Sequence, residues 1–303
     1  MSPATRSAYI GVACTLAGSV AFSGKPVIIK LAYAYSVDTM TLLALRMLFA
    51  LPFFLVMAWW AGHPPVRLNR RDWGAIVFLG FIGYYLGSYL DLAGLQYISA
   101  NLGRLILYLY PTVVLLISAL YLKQRITAKH LVSLCLSYSG IVLVFHAETA
   151  LEGPLGTLLL GAALVFASAV TYAVYLVAGA RMIQKIGSMR FTAYASLAAS
   201  VFVIATFMGT HGPARLEVAQ EVYGLVLVLA VFATVVPLWL MAEGLKRIGA
   251  NQASLVACIG PLATIGLAHA FLGEPITWIQ LTGAALVLSG VVIISLKPQA
   301  HQL

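Results

Sequence analysis

The sequence predicts an all-α integral membrane protein. Ten transmembrane helices form a 5+5 inverted-topology repeat, with both termini cytoplasmic. Three observations predict this. The chain of 303 residues is 62% hydrophobic and only 9% charged, with a mean hydropathy of +0.97. Soluble domains carry about 25% charged and 45–50% apolar residues. The apolar runs reach the roughly 20 residues that cross a bilayer as helix. Residues 92–143 recur at 242–293, 150 positions on and without a gap.

The first expected span, Ala8–Leu31, follows Arg6 as a signal peptide would. It is too long for a cleaved apolar core and contains Lys25 and Lys30, so it reads as a span. The second, Thr39–Ala61, holds one cation, Arg46. The third, Trp73–Tyr97, is the most polar, and the fourth, Leu102–Leu122, has Pro111 near its middle. The fifth, Lys129–Phe145, completes the first unit, residues 1–147. The second unit, residues 148–303, opens with Leu155–Val177. This sixth span aligns with the first through Gly11/Gly161, Ala13/Ala163, Ala17/Ala167 and Val20/Val170. Phe191–Thr210, Val222–Leu245, Gln252–Leu272 (with Pro261) and Thr277–Leu296 complete the set. The longest connections, Gly62–Asp72 and His211–Glu221, leave no room for a soluble domain, and the two units read as one compact membrane domain.

Shared greasiness does not explain aligned Gly, Pro, Asn, Ser and Thr. GLQYISAN (Gly94–Asn101) answers to GLKRIGAN (Gly244–Asn251), and Pro111 to Pro261. LKQRIT (Leu122–Thr127) answers to LGEPIT (Leu272–Thr277), and Ser139-Gly140 to Ser289-Gly290. Five spans per unit is an odd number, so the second unit enters the membrane from the opposite side. The charges agree. With the N-terminus inside, the inner ends hold Arg6, Arg67, Arg70, Arg71, Lys123, Arg125, Lys129, Arg181, Lys185, Arg190, Lys246, Arg247 and Lys297. The outer ends hold Lys30, Arg104 and Arg215, alongside Glu148, Glu152 and Glu274. That is the positive-inside asymmetry of membrane proteins. Inverted repeats are the build of many secondary transporters, with a cavity between the halves that rocking opens to each side in turn.

Substrate-contact candidates follow from polar groups in apolar spans. On the third span Tyr84, Gly87, Ser88, Asp91 and Leu95 share one helical face, and Tyr85 and Tyr89 form an adjoining stripe. Gly83 and Gly87 have the spacing of a close helix contact. Asp91 has two readings: it lines the path, or it pairs with Arg104 across the outer turn. Arg104 shares a face with Tyr108 and Pro111. It either grips a substrate carboxylate, as a guanidinium does bidentately, or snorkels to the headgroups. Tyr172 and Tyr175 on the sixth span and Trp239 on the eighth are further candidates, and Glu243 beside Lys246 and Arg247 reads as an interfacial ion network. Lys25 and Arg46 are buried cations without an evident partner, and His146 and His269 sit near span ends. Pro111 and Pro261 each remove one backbone hydrogen bond, freeing the carbonyls of Leu107 and Ala257. They read as packing kinks or as gating bends; Pro26 and Pro237 are kink candidates without a symmetry mate.

Other functions find no support. The net charge of +9 sits in short loops and sets topology, without the basic-aromatic stripe of a nucleic-acid binder. Cys14, Cys135 and Cys258 form no C-x-x-C pair, so neither a disulfide framework nor a metal site is expected. No nucleophile elbow, H-E-x-x-H or Walker loop is present, so the chain is expected to be no enzyme, to bind no cofactor and to need no ATPase subunit.

The five-plus-five repeat and the paired motifs around Pro111 and Pro261 resemble the EamA modules of the drug/metabolite transporter superfamily over the whole chain. The second module matches more cleanly. In the first, the acidic position of the G-E-x-x-T element is Gln124, followed by Arg125, so any role of that carboxylate carries only onto Glu274. The resemblance implies a secondary transporter of the bacterial inner membrane that exports small metabolites, aromatic and other amino acids first among them. Asp91 would then meet the ammonium and Arg104 the carboxylate. The alternatives are a phosphate-bearing substrate, which requires clustered cations, and a receptor or scaffold without transport. A monomer in the lipid bilayer, with a small molecule as its partner, is expected.

Overall fold

Glycine and proline decide where the apolar runs become helices. The computed structural model describes residues 3–61, 67–121, 127–149 and 154–295. Gly24 breaks the first span into α1 (Pro3–Ser23) and α2 (Lys25–Tyr33), with Pro26 in the first turn of α2, where a missing N–H is tolerated. After α3 (Thr39–Ala61), α4 (Arg70–Leu79) opens on a capping box between Asn69 and Asp72. It continues through a π-helical segment (Gly80–Leu86) into α5 (Gly87–Gly94). Ser99 caps α6 (Ala100–Leu107), and α7 (Tyr110–Tyr121) follows a break at Tyr108-Leu109, just ahead of Pro111. α8 is Ala128–Thr149. Gly187, at φ 83°, separates α9 (Leu155–Ile186) from α10 (Ser188–Thr210); only glycine adopts that φ cheaply. α11 (Gln220–Ala230) passes through a second π-helical segment (Val231–Val235) into α12 (Val236–Ala257). A break at Cys258-Ile259 precedes α13 (Gly260–Leu272) and α14 (Trp278–Ser295).

Among the described residues, eight helical runs are long and apolar enough to cross a membrane, and two shorter apolar helices, Gly260–Leu272 and Trp278–Ile293, follow them. Among the described residues there is no strand. The kink candidates of the first and fourth spans, Pro26 and Pro111, both lie just after helix interruptions, at Gly24 and at Tyr108-Leu109. The sequence places a connection between Leu245 and Gln252, where α12 instead stays helical to Ala257. Leu122–Ile126, with Lys123, Gln124 and Arg125, lie outside the described residues, as do Glu152, Lys297 and the side chains of Lys246 and Asn251.

The 150-residue offset is visible in three dimensions. The two π-helical segments fall at the same register, and so do the two breaks ahead of Pro111 and Pro261. Helix pairing repeats as well. α1 lies along α12, and α9 lies along α5 and the π segment before it. α3 packs on α10, and α8 on α14, so each of these pairs joins one unit to the other. The first two contacts run through matched glycines. A Cβ on Gly94 would meet the Gly161 carbonyl at 2.8 Å, and one on Gly161 would meet the Gly94 carbonyl at 3.0 Å. Their counterparts behave alike, since a Cβ on Gly244 would meet the Gly11 carbonyl at 3.1 Å. Small residues let backbones approach where lipid supplies no hydrophobic drive between helices.

The buried clusters cross the unit boundary too. One joins Leu42, Leu43 and Leu92 to Val203, Phe207 and Leu229; another joins Ile98 and Leu102 to Val165, Ile265 and Val287. Neither half therefore has a core of its own. Trp59, Trp60, Trp73, Trp239 and Trp278 all face outward, as a lipid-facing surface with interfacial aromatics requires.

Candidate functional site

Between the two units lies a cavity of about 320 Å³, within reach of α1, α3, α6, α9 and α12. It is built on the repeat. The third span contributes Gly83, Tyr84, Gly87, Ser88 and Asp91 to its wall. The same five registers of the second unit contribute Ala233, Thr234, Pro237, Leu238 and Met241. Phe22 and Tyr172 are a further matched pair, as are Leu107 and Ala257. The π-helical segments place Tyr84 and Thr234 at the wall; such bulges are frequent at functional sites because they re-aim side chains within a helix.

The cavity holds buried charge. Lys25 Nζ donates to Asp91 Oδ2 at 2.7 Å, so Asp91 pairs with Lys25 and not with Arg104. Gly24, at the break before α2, brings Lys25 to this position. Arg46 Nη2 donates to Ser88 Oγ at 2.9 Å. The Arg104 guanidinium lies 5.0 Å from the ring centres of Phe22 and Tyr108, within cation–π range of both. Lys25 is within electrostatic reach of Arg46 and Arg104 as well as Asp91. The three cations scattered in sequence therefore cluster in space.

An aromatic ladder borders the site. The rings of Tyr110 and Tyr172 are 5.1 Å apart, those of Tyr172 and Tyr175 6.1 Å, and those of Tyr84 and Tyr175 5.1 Å. Tyr84, Tyr110 and Tyr172 reach the cavity wall, whereas Tyr175 stacks on Phe191 behind them.

Of the residues the sequence singles out, Tyr84, Ser88, Asp91, Arg104, Tyr108 and Tyr172 come together at this wall. Four do not. Tyr175 is the second layer just described. Tyr85 turns toward α10, where its hydroxyl meets Thr206 Oγ1 at 3.1 Å and its ring tilts on Phe202. Tyr89 is 38% exposed and Trp239 52% exposed, both on the outer surface of the bundle. Gly83 and Gly87 do make the expected close contact: a Cβ on either would run into Tyr175 or Thr171 of α9. Glu243 pairs with Arg247 at 2.6 Å. At the second helix break, the Ala257 carbonyl accepts from Tyr108 Oη at 3.1 Å and Ser19 Oγ at 3.2 Å, replacing the bond that Pro261 removes.

Sequence reasoning misses several site residues. Phe22 could have been found as the repeat partner of Tyr172, and Tyr110 lies one helix break beyond Tyr108. Outside the cavity wall, Asp38, just before α3, is also missed because it carries no motif. It accepts from the Met40 and Thr41 N–H groups at 2.9 Å each and from Thr41 Oγ1 at 2.6 Å, with His211 Nε2 at 3.3 Å. Partial burial pushes its carboxyl up, but the bonds from Thr41 and Met40 and the neighbouring His211 outweigh this and hold it below the usual carboxylate range. Residues 98–100 are bonded to three other segments of the chain. Glu274 Oε1 accepts from the Ala100 N–H at 3.0 Å, Glu148 bonds Ser99, and Lys30 Nζ donates to the Ile98 carbonyl at 2.7 Å.

Comparison with known proteins fixes the family. The EamA-like transporter family model matches residues 9–146 and again residues 159–296. YcbK of Bacillus subtilis, described as an uncharacterized transporter, is 31% identical over 92% of this chain and 90% of its own length. YyaM of the same organism, also an uncharacterized transporter, is 29% identical over 75% of this chain and 74% of its own. A solved crystal structure at 17% identity superposes with a TM-score of 0.64 over 93% of this chain and 95% of that one, and so shares the fold. The chain belongs to the EamA-like transporter family and is a multi-pass protein of the inner (plasma) membrane.

Proposed function

We propose that this chain is an alternating-access secondary transporter that exports a small metabolite through the cavity between its units. The units, residues 1–147 and 148–303, are two five-span halves inverted against each other, giving ten spans with both termini in the cytoplasm. A single chain suffices, without an ATPase or a cofactor, so flux follows a substrate or ion gradient.

The observation that carries this reading is the cavity itself. Its walls come from matched registers of both repeats, so rocking one half against the other exposes the same groups to either side. Its volume of about 320 Å³ lies at the small end of the roughly 300–1,000 Å³ of ligand sites, which suits a metabolite. Tyr84, Ser88, Asp91, Arg104, Tyr108 and Tyr172 would contact it, and the breaks ahead of Pro111 and Pro261 would serve as the hinges. Amino acids are the class the resemblance names, although Asp91, paired with Lys25, is not free to take their ammonium. Arg104 offers a partner for the carboxylate and the tyrosine rings a surface for an apolar side chain.

The test is flux into proteoliposomes loaded with a broad metabolite panel, amino acids included, with and without a pH gradient. Saturable exchange of at least one compound is expected, and none across the panel would leave a receptor or scaffold. Orientation is tested separately by labelling Gln96→Cys and Lys246→Cys in intact cells. Labelling from opposite sides is expected; reaction from one side would remove the inversion.

A further inference from the structure

Among the described residues, three cations and one carboxylate face the central cavity, and only one pair cancels. Lys25 and Asp91 neutralise each other at 2.7 Å. Arg46 and Arg104 have no carboxylate within ion-pair distance among the described residues. Each is only 4% exposed. Arg46 donates to a neutral hydroxyl, and the Nε of both guanidiniums lacks a partner. Phe22 and Tyr108 hold the Arg104 guanidinium between two rings, which fixes its plane without neutralising it.

Such groups are expensive at membrane depth. A lysine could shed its proton, but a guanidinium cannot. The two arginines therefore keep an excess positive charge in a place that lipid and protein penalise, and an anion entering the cavity relieves it. The donors suit the task, since a guanidinium fork matches a carboxylate or phosphate bidentately. An ammonium is served badly. The one carboxylate at the wall is already held by Lys25, and the remaining polar groups there are neutral hydroxyls or cations.

Building on the transport reading, we propose that the cavity selects a small organic anion over a zwitterion or cation. Its acidic group sits between Arg46 and Arg104, and its apolar body lies against Tyr84, Tyr110 and Tyr172. A carboxylate and a phosphomonoester share this chemistry.

The test uses probes built on one phenyl ring: 3-phenylpropionate, phenylsuccinate, benzyl phosphate, phenylalanine and phenethylamine. Calorimetry on the purified protein reads binding, and counterflow in proteoliposomes reads transport. At least one acid is expected to bind about tenfold or more tighter than phenylalanine, with phenethylamine weakest. Comparing the carboxylates with benzyl phosphate identifies the acidic group. Arg46→Gln and Arg104→Gln should each weaken the preferred acid about tenfold or more, while Arg→Lys at either position retains part of the preference. Monodisperse elution and a wild-type melting curve establish that the variants fold. Phenylalanine binding as tightly as the acids overturns the proposal. So does acid affinity unmoved by either Gln variant, or failure of every probe to bind. Flux of phenylalanine without an acid preference removes the anion site and leaves the transport reading. Acid binding without any flux does the reverse.

Discussion

Lys25, Arg46, Asp91 and Arg104 of the first repeat stand where the second repeat has Tyr175, Ser196, Met241 and Ser254. The backbones of the two repeats share several features, although the break at Gly24 and the turn after Gly94 have no counterpart in α9 and α12; the chemistry differs more. π-helical segments, breaks ahead of proline and glycine contacts recur at the same registers. The cavity draws its wall from equivalent positions, yet among the described residues its charges all come from the first unit, while the second offers the hydroxyls of Ser168, Tyr172 and Thr234 beside Ala233, Pro237, Leu238 and Met241. Packing and charge obey different constraints. Close helix approach is needed wherever two helices rock, so both copies keep their glycines. A buried charge costs several kcal/mol wherever it sits, and a single central site needs only one set. On the proposed reading, the duplicated fold would supply the motion and divergence of one copy the selectivity.

The largest expected effect comes from halving the buried ion pair. Asp91→Asn leaves Lys25 uncompensated and should cost about 3–5 kcal/mol of stability. Thermal melting in detergent should show the loss, and Lys25→Met combined with Asp91→Leu should recover most of it without restoring transport. The counterpart change, Met241→Leu, conserves volume and should cost less than about 1.5 kcal/mol. Equal losses at positions 91 and 241 would break the asymmetry.

Next is substrate affinity. Arg104→Ala should cost about 2–5 kcal/mol of binding, or roughly 30-fold or more in uptake at low substrate, with the fold intact. Ser254→Ala, which removes no charge at the equivalent register, should stay within about twofold. Unchanged uptake in the Arg104 variant would take that residue out of the site.

The glycines sharpen the symmetric side. Gly94→Val and Gly244→Val should each destabilise by about 1–3 kcal/mol, because both force apart helices already at backbone contact. Melting shifts that differ strongly between the two would show that the packing has diverged as well.

The smallest effect lies at a helix start. Asp38 caps α3 through the N–H groups of Met40 and Thr41, whereas α10, its counterpart, starts after Gly187 without a side-chain cap. Asp38→Ala should cost about 1 kcal/mol; no cap is at stake at Gly187, where any side chain is opposed by the φ of 83° instead. Because the folded carboxyl is held below its unfolded value, its contribution is complete at neutral pH. It is lost as pH falls below about 4 and through the folded value. A pH series of melting temperatures on wild type and Asp38→Ala should converge at the acid end.

Much of this was readable in the chain. Matched Gly, Pro, Asn, Ser and Thr at a constant offset announce the repeat, because those residues serve backbone geometry and not greasiness. The polar face of the third span follows from helical spacing alone, and Tyr84, Ser88 and Asp91 do share the cavity. That reading fails at Leu95, which enters a buried apolar cluster, and at Tyr89 and Trp239, which point outward. A single helix's period cannot say which of its faces meets protein and which meets lipid when both are apolar.

By itself, then, the sequence determined the class, the apolar runs and the duplication, since hydropathy and local backbone preference are properties of short stretches. Only the tertiary structure decided that Asp91 pairs with Lys25 across 66 positions, and that Arg46 and Arg104 join them without an anion of their own. Coulomb interactions depend on distance through space, and no spacing along the chain encodes which helices a membrane bundle brings side by side.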